Sequence, residues 1–444
     1  MDKIVFNEDS TKKPINVLLL SVYEDAFFEK ECDASLCELK LLAETAIGDE
    51  SVYSSFFSVT QCRKSPDAAT FIGKGKAMEA AKLCKDNNIT LAVMDAEMTP
   101  SQIKNLEEIL NSYSDEDKKS DVKLIDRTML ILDIFAKHAT TGEGKLQVEI
   151  AQLKYTSPRL TGKGLSLSRQ AGTSGSIGSR GPGETKLETD RRHIQRRIQT
   201  LRNELLEMEK ERSVKRVKRE KSGIPTAAIV GYTNAGKSTL LNYLTNACIL
   251  AENKLFATLD PTTRKLSLPS GREILLSDTV GFINKLPHGL IEAFKSTLDE
   301  VRLADIILVV IDVNDSQAEQ KTTVTQEILN SLDAAGKPTI YVLNKSDLVD
   351  VLPPKSILSS KRAVCISAQT GNGIDDLLEM IDRILSDSKK KVVFEFPFDM
   401  QSSVNYLYKN ATVESVEYTS TGTLVCAFVT EKEIGMFKNY VKED

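Results

Sequence analysis

The chain has 444 residues, 41% hydrophobic and 27% charged, enough for two or three ordinary cores in a folded multidomain protein. Its formal net charge of −5 argues against indiscriminate nucleic-acid binding by the whole surface and leaves room for a local basic patch. Seven scattered cysteines without a C-x-x-C pair, beside three histidines, exclude a disulfide framework and a structural zinc; with no long apolar run and no leader pattern, a cytoplasmic protein without a membrane span is expected.

Residues 15–22, INVLLLSV, read as a buried strand, and apolar strands alternate with helical stretches to about Ala139, the pattern of an α/β unit. Within it, Gly73-Lys74-Gly75-Lys76 leads into a helical AMEAAKLCKD, and residues 91–95 read as the next strand. The glycine–lysine loop is taken as an ordinary strand-to-helix turn with solvated lysines, because no Ser/Thr or carboxylate motif accompanies it. Asp126-Arg127-Thr128 opens a further helix, with Arg127 and Asp133 near its apolar face, where structural ion pairing is expected.

Residues 150–183 contain no aspartate or glutamate, but carry Lys154, Arg159, Lys163, Arg169 and Arg180 among many glycines and serines. Such a stretch buries too little apolar surface to fold alone and is expected to be a loop ordered by a polyanion, RNA being the favoured one. From Glu184 a long helix is predicted, with Leu187, Ile194, Ile198, Leu201, Leu205 and Met208 at alternating spacings of three and four, a coiled-coil-like stripe suited to packing on the N-terminal domain. Its far end, SVKRVKREK, is strongly basic, and serves either as a solvated face or as a second RNA contact.

Residues 226–241, TAAIVGYTNAGKSTLL, organise the downstream half of the chain. An apolar strand gives way to Gly231-Tyr232-Thr233-Asn234-Ala235-Gly236-Lys237-Ser238-Thr239 and then to a helix, the strand, loop, helix order of a P-loop. Glycines let successive N–H groups turn inward, and the helix adds the positive end of its dipole, so the loop is a cradle for phosphate oxygens. Lys237 supplies charge to the β and γ phosphates, and Ser238 a hydroxyl to Mg²⁺. Downstream, an apolar strand ends in Asp278-Thr279-Val280-Gly281, where the carboxylate reaches Mg²⁺ through water and the Gly281 N–H meets the γ-phosphate.

The strand at 339–343 ends in Asn344-Lys345-Ser346-Asp347, whose final carboxylate can face the N1–H and 2-amino groups of guanine. Adenine lacks that pair, and a buried acceptor left unpaired costs roughly 1–3 kcal/mol, so Asp347 selects guanine. Residues 363–366 then lead to Ser367 and Ala368, whose backbone N–H groups are placed for the guanine carbonyl. Four motifs in this order, each at the carboxyl end of an apolar strand, predict a doubly wound, mostly parallel sheet that binds GTP and GDP and hydrolyses GTP. After a lysine run at 389–391, strand-like and helix-like segments predict a small α+β domain with no visible chemistry.

The run Gly181-Pro-Gly-Glu-Thr-Lys-Leu-Glu-Thr-Asp190-Arg191-Arg192, together with the P-loop, Phe256-Ala-Thr-Leu-Asp-Pro-Thr262 and Asp278-Thr-Val-Gly-Phe282, closely resembles the HflX family of ribosome-associated GTPases. The likeness covers nearly the whole chain, including Asp126-Arg127-Thr128 and Gln152-Leu-Lys-Tyr155. It implies a monomeric, translation-linked GTPase that engages rRNA of the large ribosomal subunit and splits stalled or idle ribosomes under stress, with Lys163, Arg169, Arg180, Arg191 and Arg192 as RNA contacts. The alternative is a GTP-controlled switch that parks on ribosomes or RNA as an assembly or sensing factor, with hydrolysis as a release timer.

The resemblance also makes Phe256, Ala257, Thr258, Leu259 and Asp260 the first switch, with Thr258 reaching Mg²⁺ opposite Ser238; on the residues alone Thr262 or Thr263 could do so. Lys237, Thr258 and Gly281 are then the catalytic set. Many relatives carry a water-orienting glutamine where this chain has Phe282, so hydrolysis is expected to be slow alone and stimulated by ribosomes. In some GTPases with the same pattern, the residue matching Asn234 helps hold K⁺; a turn-former is the preferred reading of it here. The expected organisation is an N-terminal α/β domain at 1–183, a helical arm at 184–222, a P-loop GTPase domain at 223–390 and a C-terminal domain at 391–444.

Overall fold

A computed structural model describes residues 15–48, 54–112, 122–162, 182–222, 224–245, 256, 262–285, 295–334, 336–348, 362–387, 390–429 and 431–442. The chain divides into two compact units: Met1–Lys210 with Ala251–Asp260 and Val280–Thr297, and Glu211–Leu250 with Pro261–Thr279 and Leu298–Asp444.

The first unit is built on four parallel strands, β1 (Asn16–Tyr23), β2 (Phe56–Cys62), β3 (Ile89–Met94) and β4 (Lys123–Asp126), in the order β2-β1-β3-β4. Alternation along β1 sends Leu18 and Leu20 into a core with Ala77, Ala80 and Ala81 of α2 (Lys74–Asp86) and with Leu106 and Leu110 of α3 (Pro100–Leu110). Helices α1 (Glu29–Ile47) and α4 (Arg127–His138) pack on each other, α1 on β1 and α4 on β3. Local chemistry starts these helices. Thr99 and Gln102 form a reciprocal capping box before α3, and the Asp126 carboxylate accepts the Met129 N–H before α4.

The expectation of a loop from residue 150 is overturned in its first part. Helix α5 (Gly142–Thr156), capped by Thr141, runs into a 3₁₀ turn at Ser157–Gly162. Its Leu146, Ile150 and Leu153 meet Ile194, Ile198, Leu201 and Leu205 of α6 (Pro182–Ser222), so helical apolar spacing decides the local structure and the lack of carboxylates has no bearing on it. Leu201, fully buried, is the centre of the stripe, whereas Met208 is exposed.

The second unit holds a six-stranded sheet in the order β10-β9-β8-β5-β7-β6. Strands β5 (Thr226–Gly231), β7 (Glu273–Asp278), β8 (Ile306–Asp312), β9 (Thr339–Asn344) and β10 (Ala363–Cys365) are parallel, and the edge strand β6 (Thr262–Ser267) is antiparallel to β7. Among the described residues, the helices along this part of the chain are α7 (Lys237–Thr245), α8 (Lys295–Leu303), α9 (Ala318–Ser331) and α10 (Ile374–Asp387). Ile374, Leu377, Ile381 and Leu385 recur at helical spacing and place α10 in the same core as Ile229, Leu308 and Val342.

The same unit ends in an antiparallel sheet of β11 (Lys390–Phe396), β13 (Thr423–Val429) and β12 (Thr412–Tyr418), with α11 (Gln401–Asn410) and α12 (Glu431–Met436) along the chain. Phe394, Phe396, Leu407, Val425 and Phe437 form its separate core. The α+β character expected of the C-terminal segment is what the chain adopts.

Candidate nucleotide site

Strand β5 delivers the chain to Gly231, whose φ of +150° and close approach to β8 suit only glycine: a Cβ there would lie 2.3 Å from the Val310 carbonyl oxygen. The loop turns through Asn234 at φ +63° and Gly236 at φ +93°, and α7 begins at Lys237. Lys237 is buried and donates from Nζ to the Tyr232 carbonyl at 2.7 Å, which curls the loop over its own lysine. Burial pushes this ammonium down to about 8, and the charge of Asp278 opposes the shift.

Ser238 Oγ donates to Asp278 Oδ2 at 2.7 Å, bringing together a hydroxyl and a fully buried carboxylate. Thr279 Oγ1 donates to the Ile229 carbonyl at 2.7 Å and ties the end of β7 to β5. Thr262 and Thr263 lie in β6, with Thr263 Oγ1 at 2.9 Å from Ser277 Oγ.

The turn after β9 joins this loop through one side chain. Asn344 is 1% exposed; its Nδ2 donates to the Ala235 carbonyl at 2.8 Å and its Oδ1 accepts the Ala368 N–H at 2.9 Å. The Ser367 N–H goes to the Asn372 carbonyl at 2.9 Å, so both N–H groups that the sequence places at the guanine carbonyl have partners within the protein. Lys345, at φ +63°, pairs with Asp312 Oδ2 at 2.6 Å, while Ser346 N–H donates to the Ile366 carbonyl and the Asp347 residue is exposed.

In the first unit, Phe256 is buried at φ +59° and its ring meets Phe135 of α4 edge-on, with centroids 4.6 Å apart. Val280, Gly281 and Phe282 are buried as well. Arg127 finds its expected ion pairs in Asp95 and Glu38, and these two charges raise its pKa against the opposing effect of burial. Asp133 instead sits one turn from Lys137, and burial pushes its carboxyl up to about 6. Asp126 collects the Met98 N–H, the Tyr155 hydroxyl and Arg159, so Arg159 serves the root of the acid-free stretch.

Four family models cover most of the chain: a GTP-binding GTPase N-terminal region at 33–136, a GTP-binding GTPase middle region at 138–219, a 50S ribosome-binding GTPase domain at 226–345 and an HflX C-terminal domain at 355–434. The GTPase HflX of Caldanaerobacter subterraneus subsp. tengcongensis is 47% identical over 97% of this chain and 94% of its own. The chain belongs to the HflX family of GTPases. The GTPase HflX of Escherichia coli is 42% identical over 76% of this chain and 77% of its own. A crystal structure of SsGBP with GDP is 26% identical and covers 83% of this chain and 98% of that one, with a TM-score of 0.45.

This HflX-family chain is therefore a GTPase. Of the residues that the sequence nominates, the structure places Gly231 to Thr239, Asp278, Thr279, Asn344 to Asp347, Ser367 and Ala368 within the second unit, and Phe256, Val280 and Gly281 within the first. Ala257, Thr258, Leu259, Asp260, Lys163, Arg169 and Arg180 lie outside the described residues. The bridging role of Asn344 and the partners of Asp95 are not visible in the sequence; an acidic residue ending the apolar run LAVMD is the one signal there for the latter.

Proposed function

We propose that this HflX-family GTPase is a cytoplasmic monomer that binds rRNA of the large ribosomal subunit and, in its GTP form, splits stalled or idle ribosomes under stress. The observation that carries the reading is a long helix, α6, anchored by its apolar stripe on α5, which exposes Arg191 and Arg192 beyond the acid-free basic stretch of 150–183, with Glu184, Glu188 and Asp190 between them and Arg192 paired to Glu188 at 3.0 Å. The match of residues 226–345 to a domain described as a 50S ribosome-binding GTPase supports it. Lys163, Arg169 and Arg180 complete the contact with RNA backbone. The functional divisions of the chain are 1–183, 184–222, 223–390 and 391–444.

In hydrolysis, Lys237 and the P-loop N–H groups from Gly231 to Thr239 hold the phosphates, and the Gly281 N–H meets the γ-phosphate. Ser238 and Asp278 are hard oxygen donors 2.7 Å apart, a set suited to Mg²⁺, with Asp278 acting through water and Thr258 completing the set. The ion would neutralise charge on the β and γ phosphates. Asp347 reads guanine, and Ser367 and Ala368, whose N–H groups are held by the Asn372 carbonyl and Asn344 Oδ1 in the free protein, would have to turn from those partners to meet the guanine carbonyl. Phe282, buried and without a hydrogen-bonding group, orients no water, so turnover is slow until the ribosome orders the switches. Asn234 at φ +63° acts as a turn-former, since asparagine tolerates the left-handed region; K⁺ beside the phosphates is the other role for its amide.

The test is GTP turnover with and without purified large subunits, for the full chain and for a version lacking residues 162–181, beside light scattering of intact ribosomes with a non-hydrolysable GTP analogue. Stimulation that needs the loop, with loss of scattering, is the expected result. Stable binding without splitting establishes the assembly or sensing switch instead, and unchanged turnover removes the ribosome as activator.

A further inference from the structure

The first unit contains a cluster of charge that the P-loop chemistry does not use. Asp95 follows the last residue of β3 and is 1% exposed. Its Oδ1 accepts from Arg127 Nη1 at 2.6 Å; its Oδ2 accepts from Lys285 Nζ at 2.6 Å, Ser35 Oγ at 2.6 Å and Ser21 Oγ at 3.5 Å. Lys285 Nζ also reaches Ser35 Oγ at 3.1 Å and the Asp95 carbonyl at 3.3 Å. Arg127 turns its other amino group to Glu38 Oε2 at 2.7 Å and to the Asn284 carbonyl at 3.2 Å.

Two consecutive residues, Asn284 and Lys285, are therefore held on the N-terminal sheet, one by its backbone and one by its side chain. Lys285 takes φ +54°, in the left-handed region that a residue with a Cβ adopts uncommonly and at a modest cost. The cations Arg127 and Lys285 balance the carboxylates Asp95 and Glu38, so withdrawing Lys285 leaves two carboxylates facing one cation. The held point lies four positions after Gly281, close enough along the chain to limit where that glycine can go.

We propose that Asp95, Arg127 and Lys285 form a latch that positions Gly281 for GTP hydrolysis. They are positioning residues, acting through the backbone of 281–285 and not on the nucleotide. The inference rests on the assignment of the Gly281 N–H to the γ-phosphate. Catalytic geometry is sensitive to sub-ångström placement, so a segment released at one end loses rate before it loses nucleotide.

The experiment measures single-turnover GTP hydrolysis and GDP affinity on the full chain, without ribosomes, for the wild type and the variants Lys285→Met, Lys285→Gly, Lys285→Arg and Gly281→Ala. Lys285 is half-exposed, so these changes leave no buried cavity. Lys285→Met is expected to slow hydrolysis about tenfold at nearly unchanged GDP affinity. Lys285→Gly, which keeps the left-handed backbone without strain, should fall equally, and Lys285→Arg should recover most of the rate. A wild-type rate in Lys285→Met beside an inactive Gly281→Ala overturns the latch and leaves the Gly281 role standing. A faster Lys285→Met overturns it too, by showing restraint in place of positioning, and a parallel loss of GDP affinity reduces the cluster to a structural role. Wild-type hydrolysis by Gly281→Ala removes the Gly281 assignment itself, and the proposal with it.

Discussion

Replacing Asn344 by alanine deletes one side chain and disconnects two loops. The Ala235 carbonyl and the Ala368 N–H, at 2.8 and 2.9 Å from the amide, both belong to buried residues and would lose their partner together. Each unsatisfied buried group costs about 1–3 kcal/mol, so the pair costs about 2–6 kcal/mol, with the lower half expected because loop backbones can turn toward water. A loss of about 2 kcal/mol from nucleotide binding alone weakens GDP about thirtyfold. Fluorescent GDP titration and thermal melting, with and without GDP, measure the two shares. Asn344→Asp is the informative companion: it retains an acceptor for the Ala368 N–H and turns a carboxylate oxygen toward the Ala235 carbonyl, so it should recover little. If Asn344→Ala binds GDP and melts like the wild type, the bridge contributes nothing and the reasoning fails.

Lys237 makes GDP affinity depend on pH. In the free protein its ammonium is pushed to about 8, below the usual lysine value, whereas bound phosphates would hold the proton. Binding then takes up a proton above pH 8, and affinity should fall by up to tenfold per pH unit there; calorimetry in two buffers of different ionisation enthalpy reads the uptake. The sign for stability is the reverse: the burial penalty is complete below pH 8 and is relieved as pH rises toward 10.5, so the nucleotide-free protein should melt higher across that window. Gly231→Ala puts a Cβ 2.3 Å from the Val310 oxygen and should abolish GDP binding while lowering the melting temperature; normal binding would show that the β5–β8 approach can open. Tyr155→Phe removes one partner from the buried Asp126, which keeps Arg159 and the Met98 and Met129 N–H groups. It should cost about 1–2 kcal/mol in denaturant melts with GDP affinity unchanged, and a neutral result would show that the remaining donors suffice.

The P-loop strand and its turn are legible in the sequence because glycine spacing and apolar runs are local signals: residues 226–231 form β5, and the loop glycines take positive φ. The strands ending at Asp278 and Asn344 are readable for the same reason. Helix α5 escapes the sequence because the absence of acid in 150–183 outweighs the apolar spacing of Leu146, Ile150 and Leu153, although only the latter determines a helix face. The partnership of Asp95 with Lys285 spans 190 positions, and no periodicity reports on a contact at that separation. Asn344 is visible as a turn residue, but its two partners come from loops 109 positions before and 24 positions after it.

The order β2-β1-β3-β4 reverses direction between β1 and β3, and in sheets of this kind the crevice at that reversal is where ligands settle. Asp95, directly after β3, sits at that reversal with Ser21 of β1 donating to it, and the group that Asp95 receives there, together with Ser35, is the ammonium of Lys285. The domain thus carries its guest on its own chain. A group carried on the chain competes at an effective concentration that the chain itself sets, so a free cation or amine would have to outcompete it to take the crevice.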